Sequence, residues 1–382
     1  MRDRWVLDRL LRAGGIDVLW PDVTGILLEM GFKYPDIDRA MSRSRSLAEM
    51  PKQWLRLADH HYASAEEALL RGHRVTASER FYRACGCFAR ARWSALSDAE
   101  RRDVYARLLD AYDRGRTAGE WPVVRVTVPI DGSSVPGLLH LPEGVTDPPW
   151  PAVVVYPGMD MTKEYFPVPF SNLFTERGIA ALVIDPPGQG ENELDGPLLT
   201  ADNAERAGSA AVDLLEGRDD IDAEAIGAFG IGTNTYTVFS FAATDHRLRC
   251  VAGFEGAHLY HRTRFVDEAQ PAFEARMKRM TGLEGVAFRE FLESMTLEGR
   301  EESIRAPVLL MAGEWDEHVP LSELREFFGR LTVRKRLVVY EGENHVMGRV
   351  SPEALQDAAD WVCDELNGVT HGDEPEQIIP EY

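Results

Sequence analysis

The first 118 residues carry apolar positions at helical spacing and no strand-like alternation. The spacing predicts helices over 6–13, 22–30, 54–72, 73–95 and 98–115, with Pro35, Gly72 and the pair Ser97-Asp98 as breaks and Ser97 as an N-cap. The pattern changes at Thr117-Ala118-Gly119-Glu120-Trp121-Pro122. Alternating runs over 123–129 and 137–142, joined by Asp131-Gly132-Ser133-Ser134, predict an antiparallel hairpin. From Ala152 onward, short continuous apolar runs alternate with helical segments. Strands are expected at 152–156, 179–185, 225–229, 248–254, 307–312 and 336–340. Helices are expected at 204–216, 235–243, 321–329 and 352–366, with a long helical insert over 261–297. Such runs fit parallel strands covered on both faces, so the fold class is α/β with a doubly wound, mostly parallel sheet. The expected domains are a helical cap at 1–118, a sheet domain at 119–369 with a lid insert at about 257–300, and an acidic mobile tail at 370–382.

Ligand sites in doubly wound sheets lie outside the carboxyl ends of the strands, which directs attention to four loops. The stretch 225–243, AIGAFGIGTNTYTVFSFAA, reads as strand, sharp glycine-rich turn and helix. That is the setting of a nucleophile elbow, G-x-S-x-G, but Gly232 stands where the serine belongs and Asn234 where the closing glycine belongs. Thr233 is the only hydroxyl in the turn and sits one place late; its backbone N–H, at a helix start, is suited to holding an oxyanion. The loop Gly158-Met159-Asp160-Met161-Thr162-Lys163-Glu164 occupies the position of a second oxyanion donor. After the two last strands come Gly313-Glu314-Trp315-Asp316 and Gly342-Glu343-Asn344-His345, in the chain order acid then histidine. An aspartate accepting from one imidazole nitrogen fixes the tautomer and leaves the other nitrogen as base. Asp316 and His345 are therefore the candidate catalytic residues, with Gly232 and Thr233 as the positions of the turn that would face the substrate. Ile184 to Glu191 reads as a structural turn, whereas Tyr260, His261, Arg262 and Arg264 line either a pocket or a solvated helical face.

Composition narrows the partners. With 42 Lys and Arg against 63 Asp and Glu, the net charge is −21, which disfavours nucleic acid and anionic membrane. No apolar run approaches the roughly 18 residues of a membrane span, and no signal-peptide order opens the chain, so a cytoplasmic location is expected. The four cysteines, Cys85, Cys87, Cys250 and Cys363, lack metal-site spacing and read as free thiols. No metal and no cofactor is called for, and the expected partner is a small-molecule substrate.

Taken together, the helical N-terminal domain, P-G-M-D-M-T-K-E at 157–164, I-D-P-P-G-Q-G-E at 184–191, G-E-W-D at 313–316 and N-H at 344–345 resemble the α/β-hydrolase superfamily. Over about residues 50–366 they resemble the branch that contains 2,6-dihydroxypseudooxynicotine hydrolase and the fermentation-respiration switch proteins. The resemblance implies Asp316 and His345 as triad members, the N–H groups of Met159 or Asp160 and of Thr233 as the oxyanion hole, an acidic substrate contact at Asp160, and a homodimer. At the elbow the branch's G-x-S-x-G-G-Y aligns with Gly230 to Tyr236, so the serine and both following glycines are replaced. Loss of a serine nucleophile leaves only about 10³–10⁴-fold catalysis over water from binding and the oxyanion hole. Two reactions need no such nucleophile: elimination of a leaving group after His345 removes a proton beside a carbonyl, and attack by a water that His345 activates. Either would suit a carbonyl compound of secondary metabolism. The competing reading is an inactive hydrolase fold that only binds a ligand.

Overall fold

The computed structural model describes residues 2–15, 22–93, 97–170, 172–267, 271–370, 372 and 376–381. They form two compact units, Met1–Val123 with Glu164–Ser171, and Val124–Lys163 with Asn172–Tyr382.

The first unit is helical: α1 (Arg2–Gly14), α2 (Val23–Glu29), α3 (Tyr34–Arg43), α4 (Met50–Leu70), α5 (Arg74–Trp93) and α6 (Asp98–Gly119). Pro35 lies in the first turn of α3, where its missing N–H is no loss. Ala65, Ala68, Ala77, Phe81 and Ala118 form a core in which small side chains let α4, α5 and α6 approach closely. The expected end of the last helix at 115 is corrected to Gly119, where Glu120 turns left-handed (φ 53°) and returns its N–H to the Arg116 carbonyl. Ser97 caps α6 as expected: its hydroxyl accepts from Glu100 N, and Glu100 accepts from Ser97 N at 2.9 Å. Ser97→Ala should lower the unfolding free energy of this unit by about 1 kcal/mol; an unchanged denaturant midpoint would mean that the box contributes nothing.

Residues 164–171, expected in the sheet domain, belong to the helical unit. Tyr105 donates to the Glu164 carboxylate at 3.1 Å, and Tyr82 donates to the Tyr165 carbonyl at 3.2 Å.

The second unit is built on β1 (Val123–Ile130), β2 (Ser133–His140), β3 (Trp150–Tyr156), β4 (Ala180–Ile184), β5 (Ile221–Ile231), β6 (Val251–Phe254), β7 (Val308–Gly313), β8 (Lys335–Tyr340) and β9 (Gln377–Ile379). The spatial order is β1-β2-β4-β3-β5-β6-β7-β8-β9. β2 runs antiparallel to β4, and the strands from β4 to β9 pair in parallel. The helices that follow the strands are α7 (Asn192–Asp195), α8 (Asn203–Glu216), α9 (Asn234–Thr244), α10 (Arg262–Asp267), α11 (Pro271–Thr281), α12 (Gly285–Ser294), α13 (Leu321–Arg330) and α14 (Ser351–Leu366). β3, β4, β6 and β7 are buried nearly throughout, as their continuous apolar runs require. From β3 the chain passes to β4 on one side and later to β5 on the other, so a topological switch point lies at the carboxyl ends of β3 and β5.

Two expectations change here. The insert is three helices, with Gly282 at φ 68° separating α11 from α12. The terminal segment, expected as a mobile tail, supplies β9: Val338 to Tyr340 pair with Gln377 to Ile379, and Glu341 N donates to the Ile379 carbonyl. An edge strand with unpaired backbone groups recruits such a segment, and ion pairs Arg325–Glu376 and Arg349–Glu381 flank it.

Among the described residues no helix is long and apolar enough to cross a membrane. The four cysteines are free, three of them buried.

Candidate active site

β5 ends at Ile231 and α9 begins at Asn234, leaving a two-residue turn. Gly232 holds it with φ +54°, in the left-handed region. Its N–H donates to the Phe254 carbonyl, and its own carbonyl accepts from Thr235 N, each at 2.9 Å. A Cβ built on Gly232 would meet nothing closer than Glu255 Oε2 at 3.4 Å and His345 Nε2 at 3.8 Å. The turn therefore faces the histidine and has room for a Cβ.

Residues that depart from the elbow motif are structurally engaged. Asn234 Nδ2 donates to the Pro157 carbonyl at 2.6 Å and to Gln189 Oε1 at 3.1 Å. Gln189 in turn donates to the Gly158 carbonyl at 2.7 Å. Asn234 thus ties the turn to the loop bearing Met159 and Asp160. Thr235 Oγ1 donates to the Glu255 carbonyl at 2.9 Å. Among the described residues, neither the Met159 nor the Thr233 backbone N–H finds an acceptor, so two donors beside the turn are unspent.

Asp316 and His345 are brought together by the loops after β7 and β8. His345 Nδ1 donates to Asp316 Oδ2 at 2.8 Å. Asp316 Oδ1 accepts from the N–H groups of His318 (2.9 Å) and Val319 (2.8 Å), which fixes the carboxylate. The Asp316 side chain is 1% exposed and that of His345 17%, so the acid is sealed while the imidazole can be reached. Burial acts against a charged Asp316, but His345 and these hydrogen bonds outweigh it and hold the carboxyl below its ordinary range. Burial likewise opposes a charged His345, yet Asp316, Glu255 and Glu317 push its pKa up to about 10.

Glu255, at the end of β6, escapes sequence reasoning: a single glutamate after a strand has no motif around it. Its φ of 57° and the flanking Gly256 mark a tight turn at a strand's carboxyl end. Its carboxyl is buried, and Oε2 lies 4.0 Å from His345 Nε2. Burial, together with Asp160, Asp316 and Glu317 and against the pull of His345, pushes this carboxyl up to about 8.

Among the neighbours, the His318 ring stands edge-on to His345 with centroids 4.9 Å apart; burial and His345 hold it neutral, at about 4. Glu314 is exposed and accepts from Gly342 N at 3.1 Å. The insert divides: Arg262 is buried over the Tyr236 ring and donates to the Thr233 carbonyl at 3.3 Å, whereas His261 and Arg264 are exposed. The 184–191 turn is structural, with Asp185 accepting from Lys163 Nζ (2.9 Å) and from Glu191 N (3.0 Å). Among the described residues no group of three or more His, Cys, Asp or Glu is arranged to hold a metal ion.

Comparison with known proteins finds families and structures that share this fold. The esterase FrsA-like family model matches residues 54–268, and the prolyl oligopeptidase family model matches residues 170–369, each over half of the chain. The chain is 27% identical to a 2,6-dihydropseudooxynicotine hydrolase of Paenarthrobacter nicotinovorans, over 90% of this chain and 91% of that protein. It is 26% identical to esterase FrsA of Vibrio parahaemolyticus over 52% of this chain and 49% of that one. The crystal structure of the 2,6-dihydroxy-pseudo-oxynicotine hydrolase superposes with a TM-score of 0.81 at 26% identity, covering 92% of this chain and 99% of that one.

Proposed function

The chain belongs to the esterase FrsA-like family of α/β-hydrolases, and from that premise we propose that it hydrolyses a small ester, or a C–C bond beside a ketone, without a serine nucleophile. One observation carries the reading: Gly232 holds the elbow backbone opposite an intact His345–Asp316 pair, so the base is kept and the hydroxyl it would serve is absent. In this reading the attacking water binds beside Gly232, between it and His345. His345 Nε2 takes its proton, the hydroxide attacks the carbonyl carbon, and the N–H groups of Thr233 and of Met159 or Asp160 receive the oxyanion. General base catalysis of this kind contributes about 10²–10⁴-fold. A small-molecule substrate follows from the pseudooxynicotine relative.

The test is p-nitrophenyl acetate turnover beside fluorophosphonate labelling of the wild-type chain. Ester turnover with no label incorporated and no acyl burst is the expected result. Stoichiometric labelling would assign the reaction to another hydroxyl and overturn the proposal. An inert ester, with loss of acetate from a β-acetoxy ketone, would reassign the same residues to elimination.

A further inference from the structure

Two of the three departures at the elbow, Gly232 and Thr235, meet at one residue, Glu255. Gly232 leaves the space beside Glu255 Oε2 open, since even a bare Cβ there would lie 3.4 Å from that oxygen. Thr235, in place of a glycine, grips the Glu255 carbonyl with its hydroxyl at 2.9 Å. Its methyl group also lies over Gly253, where a Cβ would meet it at 2.5 Å. The backbone of Glu255 is left-handed, a conformation that costs a non-glycine residue energy and persists where the surroundings impose it. Glu255 Oε1 has no hydrogen-bond partner among the described residues. A buried carboxyl held in this way, with one oxygen unspent and the other facing the base, is placed for chemistry more than for packing.

We propose that Glu255 is a further catalytic residue: it forms an acid–base couple with His345 and protonates the leaving group. The proposal rests on the serine-free hydrolase reading above. Oε2 and Nε2 are 4.0 Å apart, too far for a direct hydrogen bond, but an oxygen about 2.8 Å from both closes the triangle. Water held there loses a proton to His345 Nε2 as its oxygen bonds to the carbonyl carbon, and the carbonyl electrons move to the oxyanion. Collapse of the oxyanion breaks the bond to the leaving group, which takes the Glu255 proton. The imidazolium then returns its proton to the Glu255 carboxylate. Water and substrate have become an acid and the protonated leaving fragment, and both side chains are restored.

The groups facing the couple are Asp160 after β3, Asp316, Glu317 and His318 after β7, and each member of the couple itself. They set its titration. With Glu255 pushed up to about 8 and His345 to about 10, the singly protonated couple carries its proton mainly on His345, and the reacting form, neutral His345 with protonated Glu255, is its minor tautomer. Two coupled groups titrate as a pair, so the rate should be bell-shaped in pH whichever group carries the proton.

The experiment compares two probes in the full chain: p-nitrophenyl acetate, whose leaving group departs as a stable anion, and ethyl acetate, whose leaving group needs a proton. Glu255→Gln should lower ethyl acetate turnover by about 10²–10⁴-fold and remove the falling alkaline limb of its pH profile. The p-nitrophenyl ester should be affected about tenfold or less, and that retained turnover shows the variant is folded. Glu255→Asp, which keeps an acid, should recover part of the ethyl acetate rate. Equal losses on both esters, or no loss on either, overturn the assignment. Should wild type hydrolyse neither ester, the hydrolase reading fails by itself. NMR titration of the His345 imidazole then decides for Glu255: a lower pKa in Glu255→Gln supports the couple, and an unchanged one refutes it.

Discussion

His345→Ala should reduce turnover by about 10²–10⁴-fold, the full contribution of a general base, with no change in fold. The imidazole faces the space beside Gly232, its Nε2 3.8 Å from where a Cβ would stand. Asp316→Asn tests the same unit from behind. The asparagine would donate to Nδ1 as readily as accept from it, so the tautomer with Nε2 free to take a proton loses its anchor, at a cost of up to about 10⁴-fold. The Asn variant should also move the rising limb of the pH profile. Burial opposes the charge on His345, and Asp316 is the strongest of the groups that favour it. With that carboxylate neutralised the imidazole pKa falls, its neutral form appears at lower pH, and the limb shifts to lower pH. Double substitution should cost little more than the worse single, because the pair acts as one unit. If His345→Ala keeps wild-type turnover on p-nitrophenyl acetate, the reaction does not pass through this dyad.

Much of this was legible along the chain because the signals were local. Continuous apolar runs placed the inner strands, and Ser97 with Glu100 placed the start of α6. Asp316 and His345 declared themselves by following two strands in the order acid then histidine, and the structure joins them through a 2.8 Å hydrogen bond. What was missed depends on partners far away in sequence. Glu255 stands in a loop whose role is set by Gly232, Thr235 and His345, none of them a sequence neighbour. β9 forms because β8 offers an open edge, not because Gln377 to Ile379 has strong strand character. Glu164 parts from Lys163 because one finds the Tyr105 hydroxyl and the other the Asp185 carboxylate. Asn234 and Thr235 stand where the elbow motif has glycines, and their side chains bond to the Pro157 and Glu255 carbonyls, partners the sequence does not show.

Restoring the hydroxyl is the sharpest test of how much serine-hydrolase frame survives. Gly232→Ser should react stoichiometrically with a fluorophosphonate while wild type stays unlabelled. The left-handed backbone at 232 (φ +54°) costs a serine roughly 1–2 kcal/mol, so the variant should be slightly less stable but folded. With a Cβ 3.8 Å from His345 Nε2, the new hydroxyl comes within hydrogen-bond reach of the base, and a base so placed is worth about 10²–10⁴-fold in attack. The opposing effect is Glu255. Its Oε2 lies 3.4 Å from the same Cβ and competes for the hydroxyl proton as well as for the imidazole. The double variant Gly232→Ser, Glu255→Gln should therefore label faster than Gly232→Ser alone, since the serine then has His345 to itself. No labelling in either variant would mean that the turn no longer presents residue 232 to the histidine. Labelling in the double variant only would mean that Glu255 has taken the place of the serine so fully that the two cannot share the site.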